Sequence, residues 1–413
     1  MGHSRSTRVH GEAIIASTLS PLVSFFSLFF ATDKVKTPKF LIWTFVTFFG
    51  YCSVIPLLGS GDIVRYVEFF RMCIDQDLDF KNLWSTQIYY TEGNIEWYSR
   101  LLSWLLAQFT SDYRIMTMVF ATVFGFFYAQ ILAHTLYAPF LVRRDRVFLT
   151  FVAMAQIPFW SWQVVDFYTA AVVFICGVLC LYKSGSKKLY SILLIASTPF
   201  IHASFLYIAL SWIALYLMRH IVQRIPQRVL WTLLFISTLF ILLPPTSYSS
   251  LISSIVGNES NYIVYTSGDS SSETGGVFYT SISFCFRFLF LIWIALNQKK
   301  MGLLRDTSIY NLILVFLIVV NIFSGIPSAR RFISVFMVLL IVHVAIKSGK
   351  NINATLKLTP LHILAPVVFV YLMLTYAFFY TDIVSFISGP LIAPFIIDEG
   401  VAAGGLYQWL VML

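Results

Sequence analysis

Apolar runs long enough to span a bilayer recur from about residue 13 to the C-terminus, separated by short polar loops that hold most of the basic residues. Runs that are apolar on every side, without the polar stripe of a surface helix, predict helices packed in lipid or against one another. A helix satisfies its own backbone hydrogen bonds, which is what a hydrocarbon environment demands. The expected fold is an all-α polytopic integral membrane protein, one membrane domain over residues 1–413. At roughly 20 residues per crossing it has about 10 to 12 transmembrane helices.

Three segments depart from that pattern. Residues 13–30 are flanked by Arg5 and Arg8 on one side and by Lys34, Lys36 and Lys39 on the other, so the first helix is either re-entrant or an exception to the charge rule. Residues 189–218 offer about thirty positions for two crossings, roughly ten short of two full helices. Pro199 and His202 are therefore expected at the tip of a shallow hairpin, as in broken helices that line a watery cavity. In NIEWYSRLLSWLLAQF the periodicity is helical instead: Glu96, Ser99, Arg100 and Ser103 share one face, with Trp97, Leu101, Trp104 and Leu105 elsewhere. That predicts an interfacial or cavity-lining helix rather than a span.

Composition narrows the class. The chain is 58% hydrophobic and 11% charged with 40 Phe and 22 Tyr, more apolar surface than a soluble domain of 413 residues can hide. A single cleavable signal peptide does not produce such a pattern. The net charge of +9 lies largely in short loops, as orientation signals do, and so gives no reason to expect nucleic acid. Cys52, Cys73, Cys176, Cys180 and Cys285 lack the paired spacing of a zinc site or a disulfide framework and read as packing residues. No P-loop, dinucleotide fingerprint, HExxH or GxSxG element occurs, which removes the sequence basis for an ATPase or serine hydrolase.

By the positive-inside rule the clusters Arg143/Arg144/Arg146, Lys183/Lys187/Lys188, Arg219/Arg224/Arg228, Lys299/Lys300/Arg305 and Lys347/Lys350/Lys357 face the cytoplasm. Segments near 160–168, 199–203, 244–278, 325–332 and from 379 onwards then lie outside. Two outer loops are long, 59–114 and 244–278. The first is rich in acids; the second is rich in Ser, Gly, Asn and Tyr and suits a flexible cover for an extended glycan, though an ordinary solvent loop has the same composition.

Seven arginines consequently fall on or near the outer side: Arg65, Arg71, Arg100, Arg114, Arg287, Arg330 and Arg331. The first four can pair with acids of the 59–114 loop. Arg330 and Arg331 have no acid nearby in sequence and stand in SGIPSARRFI, where Pro327 suits the first position of a helix. Cations at a helix start are unfavourable alone, but a phosphate held there by backbone N–H groups and guanidinium forks reverses the sign. In LLGSGDIVRYVEFF, Asp62 is either a helix cap or a general base, with Arg65, Tyr66 and Glu68 within two turns. Glu92 and Glu96 are candidates for salt bridges or for sugar hydroxyls. Gln163, Asp166, Trp160, Trp162 and His202 stand at predicted outer turns, where aromatic faces and amides suit pyranose rings but Trp also belongs at interfaces.

In their order these features resemble the Wzy-type polysaccharide polymerases, especially the EpsG-like branch. The resemblance rests on Asp62 followed by Tyr66, a glutamate before a short helix (Glu92 or Glu96), Gln163 in an outer turn, His202-x-Ser204, and Arg330-Arg331-Phe332, spread over residues 40–345. Asp166 stands where the family commonly carries arginine. The resemblance implies a metal-independent, cofactor-free GT-C-type glycosyltransferase of the bacterial inner membrane. Such an enzyme joins oligosaccharide repeat units carried on undecaprenyl diphosphate at the periplasmic face, as in O-antigen and lipopolysaccharide assembly. Read with the residues themselves, Asp62 is the first candidate for the general base and His202 the alternative, with Arg65, Tyr66, Glu92, Glu96, Gln163, Arg287, Arg330 and Arg331 as candidates for binding substrate. Its partners would be the lipid-linked donor and acceptor glycans, membrane lipid and a chain-length regulator protein. A transporter or flippase of lipid-linked oligosaccharide wants similar cations but favours repeated halves. An intramembrane aspartyl protease needs a second aspartate facing Asp62, either Asp166 or Asp382.

The charge pattern fixes an expected labelling result. Asp75→Cys and Ser271→Cys react with a membrane-impermeant thiol reagent applied from outside, and Ser186→Cys and Ser348→Cys do not; the opposite pattern inverts the topology.

Overall fold

The computed structural model describes residues 20, 24, 38–52, 62–81, 83, 97–138, 141–181, 187–242, 277–305, 308–324, 327–348 and 359–380. Most of the 13–30 run, Glu92, Glu96, Asp382 and the loop 244–278 up to residue 276 lie outside them. Within the described residues every regular element is a helix.

In chain order the helices are α1 (Pro38–Tyr51), α2 (Asp62–Asp75), α3 (Tyr98–Ala107), α4 (Tyr113–Leu136) and α5 (Arg143–Gln156). A 3₁₀ turn, Phe159–Gln163, leads into α6 (Val165–Cys180), followed by α7 (Lys187–Ile201), α8 (Phe205–Leu217), the single turn α9 (Arg219–Val222) and α10 (Gln227–Thr238). Then come α11 (Val277–Asn297), α12 (Ser308–Ile322), α13 (Pro327–Ser348) and α14 (Leu361–Tyr380). Proline opens α1 and α13 and immediately precedes α10 and α14, positions where its missing N–H costs nothing and its fixed φ favours the helix. Asp112 starts α4 by accepting the backbone N–H of Arg114 at 2.8 Å.

Tyr113–Leu136 and Arg330–Ser348 are long and apolar enough to cross a membrane, and eight shorter apolar helices of 10–17 residues accompany them among the described residues. The expected 10 to 12 full spans thus correspond here to two long helices and a set of shorter ones. α7 and α8 contain 15 and 13 residues, and the chain turns between them at 202–204, where the shortage of residues placed the hairpin tip. Pro199 denies the Ile195 carbonyl its helical N–H; the Thr198 hydroxyl donates to that carbonyl instead, at 2.7 Å.

Two compact units divide the chain, one formed by Met1–Tyr137, Ile157–Leu210 and Val367–Leu413, the other by Ala138–Gln156 and Ser211–Pro366. In the first, α1 and α4 run antiparallel and almost touch. A Cβ on Gly50 would lie 2.3 Å from the Ala121 Cβ and 2.9 Å from the Thr117 carbonyl, while Gly125 meets Val46 in the same way at the other end. Small residues let helix backbones approach, which suits packing without a hydrophobic driving force between helices. The Trp43 indole N–H crosses this seam to the Thr122 carbonyl at 2.9 Å. Gly177 repeats the device between α6 and α7, with the Ser191 hydroxyl bonded to its carbonyl.

The second unit wraps α13, whose residues from Phe332 to Ala345 are buried throughout. Phe336 stacks on Phe316 of α12 with centroids 4.8 Å apart, and Trp212 lies 5.1 Å from Phe316. Polar rungs tie the helices together. Buried Asn311 donates to the carbonyls of Val222 and Ile225 and accepts from Gln227, and Asn321 donates to Ser237. Asp145, fully buried, accepts from Arg144 at 2.9 Å and lies 3.4 Å from His362 Nε2.

Outside, both units are apolar. Leu189, Leu193, Tyr207, Leu210, Leu217, Leu296 and Ile363 are all more than half exposed. Contiguous apolar surface on helices that bury polar rungs suits a lipid environment, and the all-helical, apolar architecture is compatible with an α-helical membrane protein.

Gly50→Val overpacks the α1–α4 seam and is expected to cost about 1–3 kcal/mol, read as a lower unfolding temperature in detergent. Asn311→Leu leaves the buried Val222 carbonyl and the part-buried Ile225 carbonyl without their donor and costs about 1–3 kcal/mol; a wild-type melting temperature in either variant contradicts the packing described.

Candidate functional site

Unit by unit, the structure sorts the sequence-derived candidates into two clusters. The first gathers on the amino-terminal end of α6. Asp166, only 1% exposed, accepts hydrogen bonds from three donors: the Ser99 hydroxyl at 2.7 Å, the Tyr66 hydroxyl at 2.9 Å and the Ser99 backbone N–H at 3.2 Å. These come from α2 and α3, so a single buried carboxylate joins three helices. A buried carboxylate is costly unless so satisfied.

α3 reaches Asp166 because it is inverted. Ser99, Arg100 and Ser103 are its buried residues, while Trp97, Leu101, Leu105 and Phe109 stand exposed along the opposite side. The buried Arg100 guanidinium donates to the Leu83 carbonyl at 3.5 Å. α3 is held against α2 by a small apolar cluster of Phe69, Cys73 and Leu83 with Trp104, whose indole N–H donates to the Leu78 carbonyl at 2.7 Å. Burial pushes the Cys73 thiol up to about 11, so it stays protonated and unreactive at neutral pH. Tyr98, beside Thr169, is pushed well above the ordinary tyrosine range by burial and by the negative Asp166, and keeps its phenolic proton.

The α7–α8 turn joins the same cluster. The Trp97 backbone N–H donates to the Phe200 carbonyl at 3.1 Å, tying the start of α3 to the end of α7. His202 sits edge-on to Phe167, the neighbour of Asp166, with ring centroids 5.3 Å apart. Its Nδ1 accepts the Ser204 backbone N–H at 3.2 Å, and the Ser204 hydroxyl lies 2.8 Å away. A ring nitrogen that accepts carries no proton, so neutral His202 bears its proton on Nε2. Gln163 and Trp162 end the 3₁₀ turn before α6; both are buried, and the Gln163 Nε2 and Trp162 Nε1 have no hydrogen-bond partner among the described residues.

The second cluster lies on α13. Pro327 is its first residue, and Arg330 and Arg331 fall in the opening turns, both partly buried. The Arg330 Nε donates to the Ser324 carbonyl at 2.9 Å, folding that side chain back over the helix start. Arg287 of α11 donates from Nη2 to the Ser334 hydroxyl at 2.9 Å and from Nε to Gln156 Oε1 at 2.8 Å. Ser334 follows Arg330 by four residues, so the two lie on one helical face. Arg287 is thereby brought to the face that carries Arg330, and both of these bonds go to neutral oxygens.

Of the remaining candidates, Asp62 opens α2 and Arg65 lies partly buried one turn on, while Glu92 and Glu96 are outside the described residues. Arg65, Tyr66, Gln163 and His202 thus belong to one unit, and Arg287, Arg330 and Arg331 to the other. The sequence reading singled out neither Ser334 nor Gln156, because an isolated Ser or Gln in an apolar helix carries no local signal. Among the described residues no group of three or more His, Cys, Asp or Glu is placed to share a metal ion.

No family model matches the chain, and neither a curated protein nor a solved structure matches it.

Proposed function

We propose that the chain is a polysaccharide polymerase. It joins oligosaccharide repeat units carried on undecaprenyl diphosphate at the periplasmic face of the bacterial inner membrane, and it needs no metal ion. The observation that carries this reading is the pairing of Arg287 with Ser334, one turn from Arg330 on α13. Two guanidinium groups beside the opening turns of α13, Arg330 at its start and Arg287 at Ser334, suit a diphosphate, whose oxygens match their forks. In glycosyl transfer from such a carrier the diphosphate leaves with the electrons of the broken anomeric C–O bond. Fixed cations stabilise that developing charge without a metal ion. Arg331 points about 100° away from Arg330 on an ideal helix and contributes to the field more than to direct contact.

The cluster on α6 supplies sugar-compatible groups: the Tyr66 hydroxyl, the Gln163 amide and the Nε2 proton of His202. In that tautomer His202 binds an oxygen of the substrate as a donor. The exposed apolar side of α3, with Trp97 and Phe109, suits the membrane surface, where lipid-linked sugars project. A transporter or flippase of the same lipid would use the cationic face equally well, and turnover separates the two.

Cells in which the gene is disrupted are expected to accumulate the single lipid-linked repeat unit, and purified protein given that material lengthens it. Translocation across vesicles without lengthening would support the transporter instead. Arg287→Ala and Arg330→Ala each weaken use of the lipid diphosphate by about 1.5–3 kcal/mol per lost charged hydrogen bond, roughly ten- to a hundredfold, and Lys rescues only in part. Activity persists in EDTA; loss in EDTA with recovery on adding a divalent ion refutes metal independence.

A further inference from the structure

Tyr66 and Asp166 are a hundred residues apart in sequence and hydrogen-bonded in the structure, and the chemistry of the pair is directional. An ionised carboxylate only accepts, so the Tyr66 proton is committed to Asp166. With its proton so placed, the Tyr66 oxygen can only accept from a ligand. Its natural counterpart is a group that donates, such as a sugar hydroxyl. Tyr66 is partly exposed whereas Asp166 is buried, so of the two the tyrosine is the nearer to solvent. Ser99 also holds Asp166, its hydroxyl donating to Oδ2, the oxygen that accepts from Tyr66, and its backbone N–H to Oδ1. Buried Gln163, whose Nε2 has no hydrogen-bond partner among the described residues, lies three residues before Asp166 and offers a donor for a neighbouring sugar oxygen.

We infer that Tyr66 and Asp166 form a proton relay that takes the proton of the acceptor sugar's hydroxyl during glycosyl transfer, an inference that rests on the polymerase reading. The acceptor oxygen forms its bond to the anomeric carbon of the donor chain as the C–O bond to the diphosphate breaks, and the diphosphate leaves with that electron pair. The acceptor O–H proton passes to the Tyr66 oxygen while the Tyr66 proton passes to Asp166. Charge and atoms balance: one glycosidic bond is made, one anomeric C–O bond is broken, and the carboxylate ends as the acid. Tyr66 touches the substrate and is the catalytic residue, with Asp166 acting through it. On this assignment Asp62, the first residue of the same helix, is not the base.

The test uses the full-length protein in detergent or vesicles and the lipid-linked repeat unit that accumulates in cells lacking the gene. Tyr66→Phe keeps the ring against Phe120 and removes only the relay oxygen. It is expected to lower kcat at least about a hundredfold, the lower end of a general base's contribution, with KM changed less than about threefold. Asp166→Asn lowers kcat similarly and abolishes the solvent deuterium isotope effect on kcat, which a purely structural loss of stability would leave in the surviving enzyme. Wild-type kcat in Tyr66→Phe, or a hundredfold loss confined to Asp62→Asn, overturns the relay while the polymerase reading stands. A wild-type protein that binds the lipid-linked unit without lengthening it overturns the reading and the relay together.

Discussion

A polar group withdrawn among apolar helices has no water to fall back on, and every other feature of this molecule follows from how that demand is met. Leaving one such group unbonded costs a few kcal/mol, comparable with a large share of a domain's net stability. The Asp166 carboxylate meets the demand with donors from α2 and α3, and Asn311 meets it with two carbonyls near the single turn α9 and the Gln227 amide. Such bonds join elements far apart in the chain and specify which helix lies beside which, a choice that interchangeable apolar surfaces make only weakly. Where no polar rung is present, glycine does the same work sterically, as at Gly50 and Gly177.

The same demand shapes the chemistry. Because Asp166 must be satisfied, the Tyr66 proton points inward; because His202 Nδ1 accepts from Ser204, the remaining ring nitrogen is a donor. Because Arg287 bonds to Ser334 and Gln156, its charge is held about two turns into α13 with few ways to move. On the polymerase reading, groups bonded for the sake of burial are thereby preorganised for a ligand, which would raise the electrostatic effect of each without a reorganisation cost at the moment of reaction.

α3 shows how the two requirements meet. A soluble amphipathic helix buries its leucines; this one buries Ser99, Arg100 and Ser103 and shows Trp97, Leu101, Leu105 and Phe109 outward. The inversion makes sense only if the outside is less polar than the inside. It also turns Ser99 toward Asp166, so the helix that contacts the apolar surroundings is the one that holds the buried acid.

The sequence alone determined what depends on near neighbours. The helical class follows from uniformly apolar runs, the start of α13 from Pro327, the turn at His202 from too few residues for two crossings, and the polar side of α3 from its three-to-four residue period, all interactions within one or two helical turns. Tertiary structure alone decided the pairings between residues 47 to 131 positions apart: Tyr66 with Asp166, Arg287 with Ser334 and Gln156, Asn311 with Gln227. In sequence Asp166 reads as a departure where an arginine was expected, and Ser334 and Gln156 carry no signal. The physical reason is that a hydrogen bond between helices is set by the rotation and depth of both, and those are fixed by the packing of whole apolar faces whose residues, being alike, encode no register of their own.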